Sequence, residues 1–139
     1  MGGRVAAIYK EILIESPPRD VWAAVRDVGA VHRRLVPGLV TDARLEGESR
    51  VVTFANGMVV RELIVDLDDG LRRFSYAAVG GRATHHNASM QVFAEGEGRT
   101  RLVWVTDVLP HEVAAPVGAL VEQGAAIMKR TLETQAPSG

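Results

Sequence analysis

Cysteine is absent from this 139-residue chain, which excludes a disulfide framework, a thiolate metal site and a cysteine nucleophile. An excess of charge of one sign is missing too. Sixteen Lys and Arg stand against 17 Asp and Glu, for a formal net charge of −1. Arg33-Arg34 and Arg72-Arg73 are short basic pairs, not a broad positive field, so nucleic acid is not an expected partner. The N-terminus carries Arg4 but no long apolar run leading to a cleavage site, so no secretory signal is expected. Gly2 would suit myristoylation, yet Ala6 stands where that motif needs Ser or Thr. A cytoplasmic protein without integral membrane association is the expectation.

Several chemical signatures are also lacking. There is no Gly-x-Ser-x-Gly elbow, no His-Glu-x-x-His helix and no Walker loop. Gly96-Glu97-Gly98 lies between two strand-like segments and not ahead of a helix, so it is no phosphate cradle. Asp66, Asp68, Asp69 and Gly70 lack the spacing and the distal Glu of a calcium loop, and read as a solvated turn. His85 and His86 are adjacent on a strand, and neither His32 nor His111 shows ligand spacing with them. No metal and no cofactor is expected.

What the chain does contain is 47% hydrophobic and 24% charged residues, the balance of one globular domain over 1–139 with an ordered core of about 5–134. A chain of this length buries roughly two-thirds of the surface its unfolded form exposes, enough for a core and a pocket. Its last third, from His111 to Glu133, has the period of a long amphipathic helix. The apolar stripe of that helix is diluted by alanines and by Gly118 and Gly124, which sit beside Val117, Leu120, Val121, Ile127 and Met128. Glycine inside a helix costs about 1 kcal/mol relative to alanine. Two of them on one stripe point to close backbone packing or to empty volume, and hence to a domain built around an apolar cavity.

Ahead of this helix, Ala6 to Glu15 alternates Ile8, Lys10, Ile12 and Ile14 with Tyr9, Glu11, Leu13 and Glu15, the period of a half-buried strand. Ser16-Pro17-Pro18 ends it and opens a helix, with Asp20 where a negative charge favours the N-terminus. Val21, Trp22, Val25 and Val28 recur at helical spacing until Gly29, and a second short helix covers Ala30 to Leu35 before Pro37-Gly38. Strand-like segments follow: Val40–Leu45, Arg50–Phe54, Met58–Asp66, Arg72–Val79, Thr84–Ala94 and Thr100–Leu109. Asn56-Gly57 predicts a type I′ hairpin turn. Pro110 closes the last strand, Pro116 is either a first-turn residue of the terminal helix or a mild kink in it, and the tail Ala136-Pro137-Ser138-Gly139 is expected to fray.

These pieces, taken in order, resemble the START-like, polyketide cyclase/dehydrase superfamily, also called SRPBCC. The resemblance rests on Ile12-Leu13-Ile14-Glu15-Ser16-Pro17 running into Val21-Trp22, then Asp27, Pro37-Gly38, Arg50 and Gly57. Val60-Arg61-Glu62-Leu63 with Asp66, Tyr76, the Gly96–Gly98 hairpin with Thr100, Val103-Trp104 and Leu109-Pro110 complete it. Leu35 and His86 stand where many relatives carry an aromatic residue. The resemblance implies an α+β helix-grip fold: a curved antiparallel sheet wrapped around the C-terminal helix, with two short helices after the first strand. It also implies a cavity between sheet and helix, open near the small helices, with Val31, His32 and Leu35 at the entrance.

Strand alternation then sorts the residues by face. His86, Ala88, Met90 and Val92 share one side of their strand, and Leu102, Trp104, Thr106 and Val108 one side of the next, leaving Val103, Val105 and Asp107 outward. Phe74, Tyr76 and Ala78 form the inner set of theirs. For Met58–Asp66 both faces are partly apolar, and alternation leaves Arg61 and Glu62 undecided. The family pattern favours Glu62 inward.

Glu62 and His86 are the candidate catalytic residues. An apolar enclosure raises a carboxyl pKa, and histidine exchanges protons near neutrality. The plainer role for Glu62 is a structural carboxylate paired with Arg50. Tyr76, Ala88, Met90, Trp104, Thr106, Leu120, Gly124 and Met128 are the candidate ligand-binding residues, while Trp22 is read as an anchor of the first helix. The leading expectation is a binding module, monomeric or homodimeric, for a small hydrophobic molecule such as a lipid, polyketide or aromatic metabolite. The alternative is a cyclase or dehydratase in which Glu62 or His86 moves protons and Tyr76 or Arg61 polarises a carbonyl.

Overall fold

Seven strands form one antiparallel sheet, and the two ends of the chain meet on it. The computed structural model describes residues 7–80 and 83–135; the readings on Gly2, Arg4, Ala6 and the tail 136–139 lie outside them. Strand β1 (Ala7–Ile14) is followed by α1 (Pro18–Arg26), a 3-10 turn (Val28–Ala30) and the single turn of α2 (Val31–Arg34). Then come β2 (Val40–Glu46), β3 (Ser49–Phe54), β4 (Val59–Asp68), β5 (Arg73–Val79), β6 (His85–Ala94) and β7 (Thr100–Leu109). A 3-10 turn (His111–Val113) leads into α3 (Ala114–Thr134), so the terminal helix starts one turn later than its periodicity suggests. The sheet order is β1-β7-β6-β5-β4-β3-β2. This is the helix-grip arrangement: a meander of hairpins, with α1 and α2 carrying the chain from one sheet edge to the other.

Alternation is obeyed where one face is clearly apolar. Ile12 and Ile14 are buried while Tyr9 and Leu13 are exposed, and Leu102, Trp104, Thr106 and Val108 are buried on β7. Val103 is also almost fully covered, although it belongs to the outer face, where its register partners are Glu11 and Gln91. On β4 the period breaks. Ile64 pairs with Tyr76 and Asp66 with Ser75, so Val65 is an extra residue that bulges the strand. Val60, Glu62 and Ile64 share the inner face with Leu67, three residues after Ile64, and Arg61 points outward to Glu46, 2.8 Å away. An outward Arg61 cannot polarise a carbonyl inside the cavity.

The β3–β4 connection differs from a two-residue type I′ turn. Phe54 and Met58 close a three-residue loop in which Gly57 alone takes a positive φ, +90°, while Asn56 does not. The Asn56 side chain instead accepts the Met58 N–H at 2.9 Å, a local bond that satisfies the turn without a left-handed Asn.

Helix α3 lies across the inner face and is tied by polar contacts to β1. Lys10 meets Glu122 at 2.7 Å, Lys129 donates to the Leu13 carbonyl, and the Glu15 N–H donates to Glu133 at 2.8 Å. Helix α1, packed against β6, buries Val21, Trp22, Ala24 and Val25. No described helix is long and apolar enough to cross a membrane.

Candidate functional site

The inner face and α3 do not close on each other completely; between them lies a cavity of about 340 Å³. Its floor is made by alternation, with Tyr76 and Ala78 of β5, His86 and Met90 of β6, and Trp104 and Thr106 of β7 all facing it. Its roof is helical. Val117, Leu120, Val121 and Met128 recur at the three- and four-residue spacing that puts them on one face of α3. Val36 and Leu39, after α2, close one side. The exposed members of the lining, Met58, Gly80 and Pro116, mark the mouth between the β3–β4 hairpin, the end of β5 and the first turn of α3. The opening expected near the small helices is not there: Val31 is a buried wall residue, and neither His32 nor Leu35 belongs to the lining.

Among the candidate residues, Glu62, Tyr76, His86, Met90, Trp104, Thr106, Leu120 and Met128 are thus brought together around one space. Ala88 and Gly124 are not part of its surface. Ala88 pairs with Tyr76 on one side and Thr106 on the other, a small residue beneath larger neighbours. Gly124 faces the edge of the Trp104 ring so closely that a Cβ there would lie 3.2 Å from two of its carbons. Gly118 has only Ile8 near it, at 3.9 Å from the same construction. Close packing therefore accounts for Gly124 and not for Gly118.

The charges of the site are balanced within it. Arg50 donates through Nε to Glu62 Oε1 at 2.7 Å and through Nη1 to the Val28 carbonyl at 3.1 Å, and both residues are buried. The guanidinium also lies 5.2 Å from the centroids of Phe74 and Tyr76, whose rings stack at 5.2 Å. An ion pair so placed has two roles: it cancels its own charge, and it fixes β3, β4 and the 3-10 turn relative to one another.

Two titratable groups of the lining are displaced from their ordinary values. Burial pushes the Tyr76 phenol far up, helped by the Glu62 charge, so the hydroxyl keeps its proton. Burial lowers the His86 pKa against a smaller opposing pull from Glu62, which leaves the imidazole neutral near pH 7. The Trp104 indole N–H lies toward the Tyr76 hydroxyl without reaching it at hydrogen-bond geometry, and is buried with no partner among the described residues. Among those residues no three His, Asp or Glu side chains are grouped as a metal site would require.

Sequence reasoning missed the contribution of the segment 36–40 and of β3, where Val52 and Phe54 also line the cavity. Their apolar character was visible, but the sheet curvature that turns them inward was not. The 66–70 turn is largely exposed, in keeping with its reading as solvated, but its structural contact was not foreseen. Asp69 there accepts hydrogen bonds from Trp22 Nε1 and Arg26 Nε, both at 2.8 Å, and so fastens α1 to the β4–β5 turn. Trp22 is therefore the anchor its position suggested and takes no part in the cavity lining.

The family model described as polyketide cyclase / dehydrase and lipid transport matches residues 5–135. No curated protein matches the chain in sequence. Among solved structures, an uncharacterised protein from Bacillus thuringiensis is similar at a TM-score of 0.82 and 15% identity, over 91% of this chain and 98% of that one. A START superfamily protein from Mycobacterium smegmatis gives 0.78 at 13% identity, over 91% and 97% of the two chains. Norcoclaurine synthase from Thalictrum flavum, in complex with dopamine and hydroxybenzaldehyde, gives 0.69 at 20% identity, over 94% and 88%. At such identities the likeness is one of fold.

Proposed function

Because this chain belongs to the polyketide cyclase/dehydrase and lipid transport family, we propose that it encloses one small, largely apolar molecule between its sheet and α3. The observation that carries this reading is the cavity itself, about 340 Å³ and walled mainly by Val, Leu, Met and aromatic side chains. That size lies at the lower end of the range for small-molecule pockets, roughly 300–1,000 Å³, and the few polar groups in an apolar wall are what such pockets use to orient a ligand. Arg50 and Glu62 neutralise each other at 2.7 Å, so the site offers no unbalanced charge to an ionic ligand.

Native mass spectrometry of gently purified protein tests the proposal. A co-purifying lipid or aromatic compound, released on denaturation and lost in Trp104→Ala, is the expected result. Protein that carries nothing and takes up none of a panel of apolar probes overturns it.

The enzymatic reading, a cyclase or dehydratase acting on a polyketide-like substrate, is favoured by one observation: His86 is a neutral imidazole in the lining and can accept a proton. Glu62 is less free for this work, since its Oε1 is held by Arg50. Conversion of a bound molecule, lost in His86→Asn while binding persists, would establish turnover.

A further inference from the structure

The sheet has two edge strands, β1 and β2, and the fold treats them differently. Side chains of α3 engage the backbone at the end of β1, Lys129 donating to the Leu13 carbonyl and Glu133 accepting the Glu15 N–H. Among the described residues nothing comparable reaches β2. Glu46 and Ser49 close a two-residue turn, Gly47-Glu48, so the backbone groups of Glu46 face β3, and by alternation so do those of Arg44. Those of Ala43 and Leu45 point away from the sheet, and no other described residue bonds to them. Gly29 of the 3-10 turn lies against one side of the Leu45 side chain, which is still 58% exposed. An open edge of this kind is a template for a further strand.

The charges on β2 select what that strand is. Asp42, Arg44 and Glu46 share its outer face, opposite Thr53, Val51 and Ser49 of β3. Arg44 contacts Glu46 at 2.8 Å, and Glu46 also holds Arg61 at 2.8 Å, whereas Asp42 is exposed and has no ion-pair partner among the described residues. Opposite charges thus flank Ala43, one residue to either side. We propose that β2 is a self-association edge, on which two copies of this chain pair β2 to β2 in antiparallel register through Ala43 and join their sheets into one. In that register Ala43 exchanges both backbone bonds with its equivalent, and Asp42 stands opposite Arg44 of the second copy, twice over by symmetry. The 42–44 pairs are then the non-hydrogen-bonded ones, in which side chains come closest. Shifting the register by two residues in either direction sets Arg44 against Arg44 or Asp42 against Asp42, which is unfavourable. Glu46 keeps Arg61 when Arg44 turns to the second copy. The pairing is short, because the register shift between Val40 and Asp42 ends it.

Sedimentation equilibrium of the full chain at about 0.5 mM, well above a Kd in the micromolar range, tests the pairing. The expected mass is twice that of the chain, and it falls towards the monomer in high salt as the ion pairs are screened. Asp42→Arg and Arg44→Asp each place two like-charged pairs across the dyad, so each variant alone should show half the wild-type mass. Mixed in equal amounts, the two variants present opposite charges to each other, and the double mass should return. Amide exchange at Ala43 and Leu45 of the wild type should slow as the concentration rises, a readout that needs no variant to fold. A wild type that stays monomeric, with exchange at these amides independent of concentration, overturns the proposal and leaves the edge to an extended segment of another protein. A dimer that survives both single variants overturns this interface. Variants that remain monomeric when mixed overturn the register.

Discussion

Gly124 of α3 and Trp104 of β7 fit together across the interface of helix and sheet: a Cβ at residue 124 would stand 3.2 Å from two carbons of the indole ring. The glycine that looks like a flaw in the helix is the surface against which the ring is seated.

Two opposing effects determine what Gly124→Ala does. Alanine improves the helix by about 1 kcal/mol. The added methyl pushes a ring that has the cavity to move into, so the displacement is tolerated. Thermal unfolding should therefore shift little, by less than about 1 kcal/mol in either direction. Binding of an apolar probe should weaken, because the displaced ring takes volume from the cavity. A loss of stability as large as that of a buried large-to-small substitution, with binding intact, would contradict this account.

The Arg50–Glu62 pair predicts a strongly non-additive double-mutant cycle. Removing one partner of a buried pair leaves the other uncompensated, at about 3–5 kcal/mol. Both Glu62→Gln and Arg50→Met should lie in that range, the arginine change also releasing the Val28 carbonyl. The double variant Arg50→Met/Glu62→Leu should recover a large part of the loss. Denaturant titration measures the cycle; additive losses would mean that the two charges are stabilised independently.

Asp69 links stability to pH. Its pKa is held below the usual aspartate value first by the Arg26 hydrogen bond and then by that of Trp22. A carboxylate with a depressed folded-state pKa stabilises the protein fully above its unfolded value, about 3.9, and ceases to do so as the pH falls through the folded one. Asp69→Asn should accordingly lower the melting temperature at pH 7, and its difference from wild type should shrink on acidification. A difference that stays constant down to the acid transition would remove the charge from the explanation.

His86 titrates in a different window. Burial lowers its pKa, so the neutral form is favoured in the folded state and stability falls as the pH drops below about 6.5, the unperturbed value, towards the folded one. Uptake of an apolar probe should weaken over the same range as a charge appears in the wall. His86→Phe should flatten both profiles. An unchanged pH profile in that variant would assign the effect to another group.

Most of the fold could be read from turn residues and alternation, because each hairpin is local and one face of β1, β5, β6 and β7 is plainly apolar. β4 resisted for a physical reason: the bulge at Val65 inserts one residue and reverses the parity of the strand beyond it, and nothing in the pattern of Ile64, Val65 and Leu67 marks the insertion. The site divides in the same way. His86, Met90, Trp104 and Thr106 follow from period two, and Leu120 and Met128 from the helical period. The mouth at Met58, Gly80 and Pro116 and the Asp69 clamp depend on contacts between distant segments, which no local pattern encodes.

The pairing of β1 with β7 has a kinetic side. The hairpins from β2 to β7 form among near neighbours, so the cavity floor can assemble from local encounters. The bonds that hold α3 over it, Lys10 with Glu122, Lys129 with Leu13 and Glu133 with Glu15, join residues 112, 116 and 118 positions apart. Closure over such separations is the slow part of folding. The helical roof and the first strand are thus expected to close as one unit after the hairpins, and amide exchange in β1 and α3 should report the opening of the cavity separately from the loss of its floor.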